Sequence, residues 1–562
     1  MTLIVMGRRR GGVSGIIPAS LTRYDGASGS AVFRGAIPFA PGVVTGPSGL
    51  TSVRVLVDGA EPAGGIHIRL LDGRHSDNSY RSAYVEFTAT CGSAATIPCS
   101  VVLGQTRATP DIATPANTVE LSPRSWHAAP TLFAITDATY LCNSRVAPLP
   151  LVPLTHPGLP VSVVTYLTTF HDSWATTTST GNAGYDDNYP LICRYLVTGN
   201  PAFLAEALKR NQSDNTPTVR QQIAWSYYVA DPAFTPASGV AGWTVLNPAG
   251  YATTRTDAGA PAEWQDTSLT NFTIYQLTGW EYGKIHIERN ATIDATSGFG
   301  DGAATAATVA SYSPTLANQG YPRQTMRWRL QQGVLGAMLR MDRYINVGFQ
   351  RYKDPANTAG TAGLSMVTRV QNRITRLEDY ANGLNIGVDA PTWFPRLWGV
   401  RPSLWNTPDG IPNFQWATAA SLWIAYANGI DTRASIPAQI DALADWAQSQ
   451  LRLSKGYWCV PYQMLDPATL TDPLTWGDAA NRTNNTLAVM LAWLLAWKWT
   501  RTGDTTARDQ YDAMMAQTNF AFDTRPTTVQ LESATRKNLG ELWYMAYHAA
   551  ALRAGVNPLT GA

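Results

Sequence analysis

The chain has 562 residues, with 42 Lys and Arg against 40 Asp and Glu, and its net charge of +2 offers no basic face for nucleic acid. Charged residues make up 15%, yet 45% are hydrophobic and 10% aromatic, which excludes an intrinsically disordered chain and leaves material for a large core. The longest nearly apolar run, LAVMLAWLLAW (487–497), falls short of the roughly 18 to 20 residues that cross a bilayer, so no membrane span is expected.

At the N-terminus, MTLIVMGRRRGG places its apolar residues before the arginines, the reverse of a secretory signal, so no signal peptide is readable. The expectation is a protein made in the cytoplasm. Its basic arm is then held by a neighbour, either in a homo-oligomer or in a virion.

The first 145 residues show no helical period. Short alternating runs recur instead: SVRVLVDG (52–59), IHIRLLDG (66–73), SAYVEFTATCG (82–92) and IPCSVVLG (97–104). In the first, Val53, Val55 and Val57 face one way and Arg54 the other. With Gly, Asp and Pro between runs, this pattern predicts a small β-barrel or sandwich over 1–145. Cys91 and Cys99 fall on adjacent predicted strands, where they either pair or remain buried thiols as in a reducing compartment. Residues 146–162, with Pro148, Pro150, Pro153, Pro157 and Pro160, read as an extended linker and a domain boundary.

From 163 to 562 the period changes to that of helices. Trp416, Ala420, Trp423 and Ala427 recur at helical spacing, as do Leu487, Met490, Leu491, Leu494 and Leu495. A diverged pattern repeats through this half: YLVTGN (195–200), YQLTG (275–279), YANG (426–429) and WTRTGD (499–504). Its Gly suits the left-handed position that closes a helix, and the polar residue that follows suits the cap of the next. Six hairpins are expected, near 185–213, 265–290, 322–385, 412–453, 484–519 and 534–553, stacked or closed into an array. Long aromatic-rich loops, 214–264, 291–321, 390–411 and 455–483, separate them and are where a site is expected.

A β-domain followed by hairpins with TGN and TGD turns resembles the (α/α)6-toroid carbohydrate-active proteins, among them polysaccharide lyases and unsaturated glucuronyl hydrolases. In the first half, FRGAIPFAPGVV (33–44), LTSVRVLVDGAEPAGGIHIRLLDG (50–73) and SAYVEF (82–87) resemble the barrel that opens exo-type rhamnogalacturonan lyases. Such domain combinations also resemble parts of phage particles. The resemblance implies an N-terminal β-barrel or sandwich followed by an (α/α)6 toroid, and a polysaccharide as partner.

A toroid lyase must neutralise a uronate carboxylate, remove the proton beside it and protonate the leaving oxygen; a hydrolase needs acidic groups across the sugar ring. In FHDSWATTTSTGNAGYDDNYP (170–190), His171, Asp172, Asp186 and Asp187 read either as acid and base or, for Asp186 and Asp187, as caps of a helix starting at Tyr189–Pro190. Arg323 and Arg327, which open a predicted helix, read as a carboxylate clamp or as an exposed face. Trp405, Asn413, Gln415 and Trp416 in WNTPDGIPNFQW, with Tyr457, Trp458 and Tyr462 in GYWCVPYQM, offer flat faces and amides to sugars, or else pack beneath loops. His286 reads as a lyase base or a structural histidine. The chain has no HExxH, Cys/His cluster or phosphate loop, so neither metal nor cofactor is expected.

Two functions follow from these residues. One is a glycan-directed enzyme, a lyase or glycoside hydrolase mounted as a depolymerase on a phage tail or fibre. The alternative is a non-enzymatic virion or receptor-binding protein that keeps the toroid.

Overall fold

The computed structural model describes residues 15–92, 96–112, 130–176, 186, 188–213, 243–245, 253–255, 268–281, 283–284, 287, 291, 330–339, 365–384, 413–454, 457–461, 483–516 and 545–561. Their architecture is mixed β plus α.

The β part uses β1 (Ile16–Arg23), β2 (Gly29–Pro38), β3 (Val53–Val57), β4 (His67–Leu70), β5 (Ser82–Cys91), β6 (Thr96–Leu103) and β7 (Thr131–Ile135). They form two antiparallel sheets, ordered β3-β6-β1-β7 and β2-β5-β4. The alternation at 52–59 emerges as predicted: Val53 and Val55 are buried, while Arg54 reaches out to Glu61 and Gln105. Phe33 lies opposite Phe87 in the β2–β5 pair, and Phe87 meets Phe133 of β7 edge-on at 5.9 Å, so the sheets close on an aromatic core. Cys91 and Cys99 are both buried thiols; they lie on different sheets, and burial pushes the Cys99 thiol up to about 12.

Helix α1 (Ala138–Ser144) follows, its first turn capped by the Asp137 carboxylate, which accepts from the Tyr140 N–H at 2.9 Å. The proline-rich stretch after it does not stand clear of the protein. Val146, Ala147, Leu149, Leu151 and Val152 are buried along it. It leads into α2 (Val161–Thr176).

Hairpins then succeed one another: α3 (Tyr189–Thr198) with α4 (Pro201–Ser213), α5 (Ser268–Thr278), α6 (Leu330–Met338) with α7 (Met366–Leu384), α8 (Asn413–Ala427) with α9 (Ser435–Gln450), and α10 (Asn485–Thr502) with α11 (Thr505–Ala516). From the expected pair at 534–553, the described residues contain α12 (Ala546–Arg553). Two segments read as loops carry short strands: β8 (Trp243–Val245) with β9 (Thr253–Arg255) in 214–264, and β11 (Tyr457–Pro461) in 455–483, which pairs with β10 (Arg452–Ser454) before it and β12 (Thr483–Asn484) at its end. Val460 of β11 is fully buried and the strand packs on α10, an apolar contact that a reading of local loop composition does not register.

Successive helices pack on one another. Helix α3 contacts α5, α5 contacts α6, α6 contacts α8, α8 contacts α10 and α10 contacts α12. The Tyr189 hydroxyl of α3 bonds His548 of α12 at 2.9 Å, which joins the last helix to the first. Helices α5 and α6 are buried on every face, as befits an inner layer, whereas α11 buries a single stripe, Ala507, Tyr511, Met514 and Met515. Trp423, Trp493 and Trp497 of α8 and α10 form a fully buried aromatic cluster, with Trp423 and Trp493 stacked at 5.7 Å.

The repeated turn behaves as the sequence predicts. Gly199, Gly279, Gly429 and Gly503 have φ of 69°, 70°, 69° and 74°. Their N–H groups donate back to Tyr195, Tyr275, Tyr426 and Trp499, the aromatic residue that opens each copy. Asn200 and Asp504 then accept from the first N–H groups of α4 and α11.

Three of the four turns rest on the β part or on the residue that follows it. A Cβ at Gly199 would stand 2.0 Å from the Thr136 carbonyl oxygen, one at Gly279 2.2 Å from the Tyr84 ring, and one at Gly429 3.0 Å from Ser76. Tyr195 donates to the Ile135 carbonyl, Tyr275 accepts from the Asp72 N–H, and the Met338 carbonyl closing α6 accepts from Arg74. The Arg69–Glu281 and Lys284–Asp72 ion pairs flank the second turn. The C-terminal ends of α3, α5, α6 and α8 are thereby covered.

Candidate functional site

Covering the C-terminal ends leaves the N-terminal ends of the same helices a helix length away, about 15 Å for the ten residues of α3. Orphan N–H groups and dipole ends of several helices collect there. Helix α2 runs antiparallel to α3, because Leu154 ahead of it donates to Val197 while Leu167 within it accepts from Arg194. Its last turns therefore run towards the same end.

Asp186 is the best-defined group at this end. It is fully buried, with a left-handed φ of 54°. Its carboxylate accepts from the N–H groups of Leu269 and Thr270 at 3.1 and 2.7 Å and from the Gln331 amide at 3.1 Å. The cap reading of Asp186 is thus met in a different place: it caps α5, 82 residues on, and not the helix beginning at Tyr189. There Asn188 occupies the cap position without a side-chain bond, and Tyr189 N–H donates to the Asp186 carbonyl. Asp186 thereby ties the starts of α3, α5 and α6 together, the first through its carbonyl and the others through its carboxylate.

Tyr189 and His548 join α3 to α12. The His548 Nδ1 lies 3.0 Å from the Pro150 carbonyl, which can only accept, so Nδ1 carries the proton and Nε2 accepts from the Tyr189 hydroxyl. Burial holds the imidazole down to about 4, and it is neutral. Further polar groups are buried nearby in sequence: Asn211 donates to Asn271, and Gln332 follows Gln331.

The other predicted residues are distributed as follows. His171 and Asp172 lie in the second half of α2. Asn413, Gln415 and Trp416 belong to the first turn of α8, within the hairpin expected near 412–453. Tyr457 and Trp458 lie on β11, and the half-buried Trp458 packs against the hydrophobic core. Asp187, His286, Arg323, Arg327, Trp405 and Tyr462 lie outside the described residues. The structure thus brings Asp186, the start of α8 and the last turns of α2 to one end of the helices.

The sequence reading missed Tyr189, Gln331 and His548. Tyr189 and Gln331 stood inside segments already singled out, but nothing local marks a histidine whose partner is 359 residues away. Among the described residues, no three His, Cys, Asp or Glu side chains are grouped to hold a metal ion, and no helix is long and apolar enough to cross a membrane.

Comparison with known proteins finds no family model, curated protein or solved structure that matches the chain.

Proposed function

We propose that the chain is a polysaccharide-degrading enzyme built on an (α/α)6 toroid, with its sugar site at the N-terminal ends of α3, α5, α6 and α8. The observation that carries this reading is the succession of helix contacts whose ends the Tyr189–His548 bond joins, with the sheets seated on the opposite end. Helix N-termini collect at the end away from the sheets, where fixed N–H dipoles favour an anionic sugar.

In this reading Asp172 and His171 supply the acid and base, and Arg323 with Arg327 offsets a uronate charge. Trp405, Asn413, Gln415, Trp416, Tyr457, Trp458 and Tyr462 hold the sugar rings. Asp186, whose carboxylate already accepts three hydrogen bonds, positions the helix ends and is not the proton donor. Elimination places a double bond in the uronate beside the cleaved link; hydrolysis adds water across that link and leaves none.

The test is incubation of the whole protein with acidic and neutral polysaccharides, including the surface glycan of the producing host. New reducing ends and the ultraviolet absorbance of unsaturated uronate are followed together, with Asp172→Ala and His171→Ala as controls. Reducing ends with absorbance identify a lyase, and reducing ends alone a hydrolase. Absence of turnover on every glycan by folded protein would overturn the reading in favour of a non-enzymatic virion or receptor-binding protein.

A further inference from the structure

A second feature lies at the covered end, apart from the proposed sugar site. Arg81, just before β5, is wholly buried where four parts of the chain meet: the β4–β5 connection, the proline-rich stretch, the α8 turn and residues 558–561. A guanidinium has five N–H groups. Three of those of Arg81 donate, to the carbonyls of Arg74 and Arg145 and to the Asn428 amide oxygen, so five minus three leaves two.

Every one of these acceptors is neutral, and among the described residues no carboxylate lies within ion-pair distance of Arg81. Of the charged groups around it, Asp77 offsets the cation without forming an ion pair with it, and Arg145 adds to it. Arg145, whose guanidinium donates to the Thr560 and Gly561 carbonyls, is a second cation against the same space. His75 gives its Nε2 proton to the Phe39 carbonyl and is neutral. Burial, with the Arg145 charge second, holds the Arg81 guanidinium down to about 9. A buried cation with no carboxylate in ion-pair contact is costly, and cations in protein interiors are paired as a rule.

Beside Arg81 is a cavity of about 40 Å³, lined also by His75, Ser76, Arg145, Asn428 and Thr560. A single water needs roughly 10–15 Å³ on this scale, so one halide-sized ion fits with space to spare. We propose that this cavity binds one small monovalent anion of halide size, which accepts from the two remaining N–H groups of Arg81 and neutralises it. The ion then joins the sheets, the α8 turn and the C-terminal segment at one point. This proposal stands independently of the glycan reading.

The test uses the full chain. Its thermal midpoint is followed against sodium chloride and against sodium gluconate, whose anion is too large for the cavity, at equal ionic strength. Chloride alone should give a saturable rise of about 2–4 °C, as mass action requires for a ligand of the folded state. Crystals soaked in sodium bromide should show an anomalous peak within hydrogen-bond distance of the Arg81 guanidinium. The Arg81→Met variant should lose both the peak and the chloride effect; if it does not fold, the wild-type measurements decide. Superimposable chloride and gluconate curves, or the lack of a bromide peak at Arg81, would overturn the proposal.

Discussion

The Gly199 and Gly503 turns make the most direct comparison in this molecule. Both follow the same local sequence, an aromatic residue, two others and Thr-Gly, and both put Gly in the left-handed region, at φ of 69° and 74°. Yet a Cβ at Gly199 would strike the Thr136 carbonyl at 2.0 Å, while one at Gly503 would meet nothing within 4 Å. The first turn carries the junction between sheets and helices; the second only reverses the chain. An identical motif therefore has two different costs, because turn geometry is local and the backbone packed against it is not.

The largest effect is expected from Gly199→Ala, where left-handed strain adds to a clash with backbone that cannot rotate away. It should destabilise the fold by more than about 4 kcal/mol and leave little soluble protein. Folding of this variant at the wild-type midpoint would show that Gly199 is not seated on Thr136.

Acid should act at both ends of the helices. Burial holds His75 down to about 3 and His548 to about 4, against an ordinary 6.5, so each is neutral when folded, and the unfolded chain takes up the proton first. Their contribution is present in full above pH 6.5 and is lost as pH falls toward those lowered values. By pH 5 each should have lost about 2 kcal/mol. Urea titrations at pH 7.5 and 5 measure the difference, and equal midpoints would contradict it.

Smaller again is Tyr189→Phe, which leaves the buried His548 Nε2 without its donor. A loss of about 1–2 kcal/mol is expected, read as a lower urea midpoint at pH 7.5. An unchanged midpoint would mean that this bond does not hold α12 to α3. Gly503→Ala closes the series: with open space around it, only the left-handed conformation is penalised, and the cost should be about 1 kcal/mol. A loss as large as that of Gly199→Ala would erase the contrast between the two turns.

Much of the fold was legible in the residues. The runs at 52–59, 66–73, 82–92 and 97–104 are β3, β4, β5 and β6, because a half-buried strand needs alternation and nothing else nearby imposes it. Strands β1 (IIPASLTR), β2 (GSAVFRGAIP) and β7 (TLFAI) were not read as alternating runs; β7 is buried along its whole length and β2 over its last six residues, so neither alternates. The candidate site was legible in part. Asp186 stood out as an acidic residue before a helix, but the helix it caps is identified only by a contact 83 residues long. His548 could not be found at all.

What the sequence by itself determined are features settled within a few residues: strand alternation, the four left-handed glycines and the caps at Asn200 and Asp504. Each depends on backbone sterics and hydrogen bonds between near neighbours, which are present in every conformation the segment visits. The tertiary structure alone decided which turns are covered, where the Asp186 carboxylate goes, how Tyr189 meets His548 and why Arg81 is buried beside a second arginine. Those outcomes rest on which distant surfaces exclude water from one another, and no local pattern records that choice.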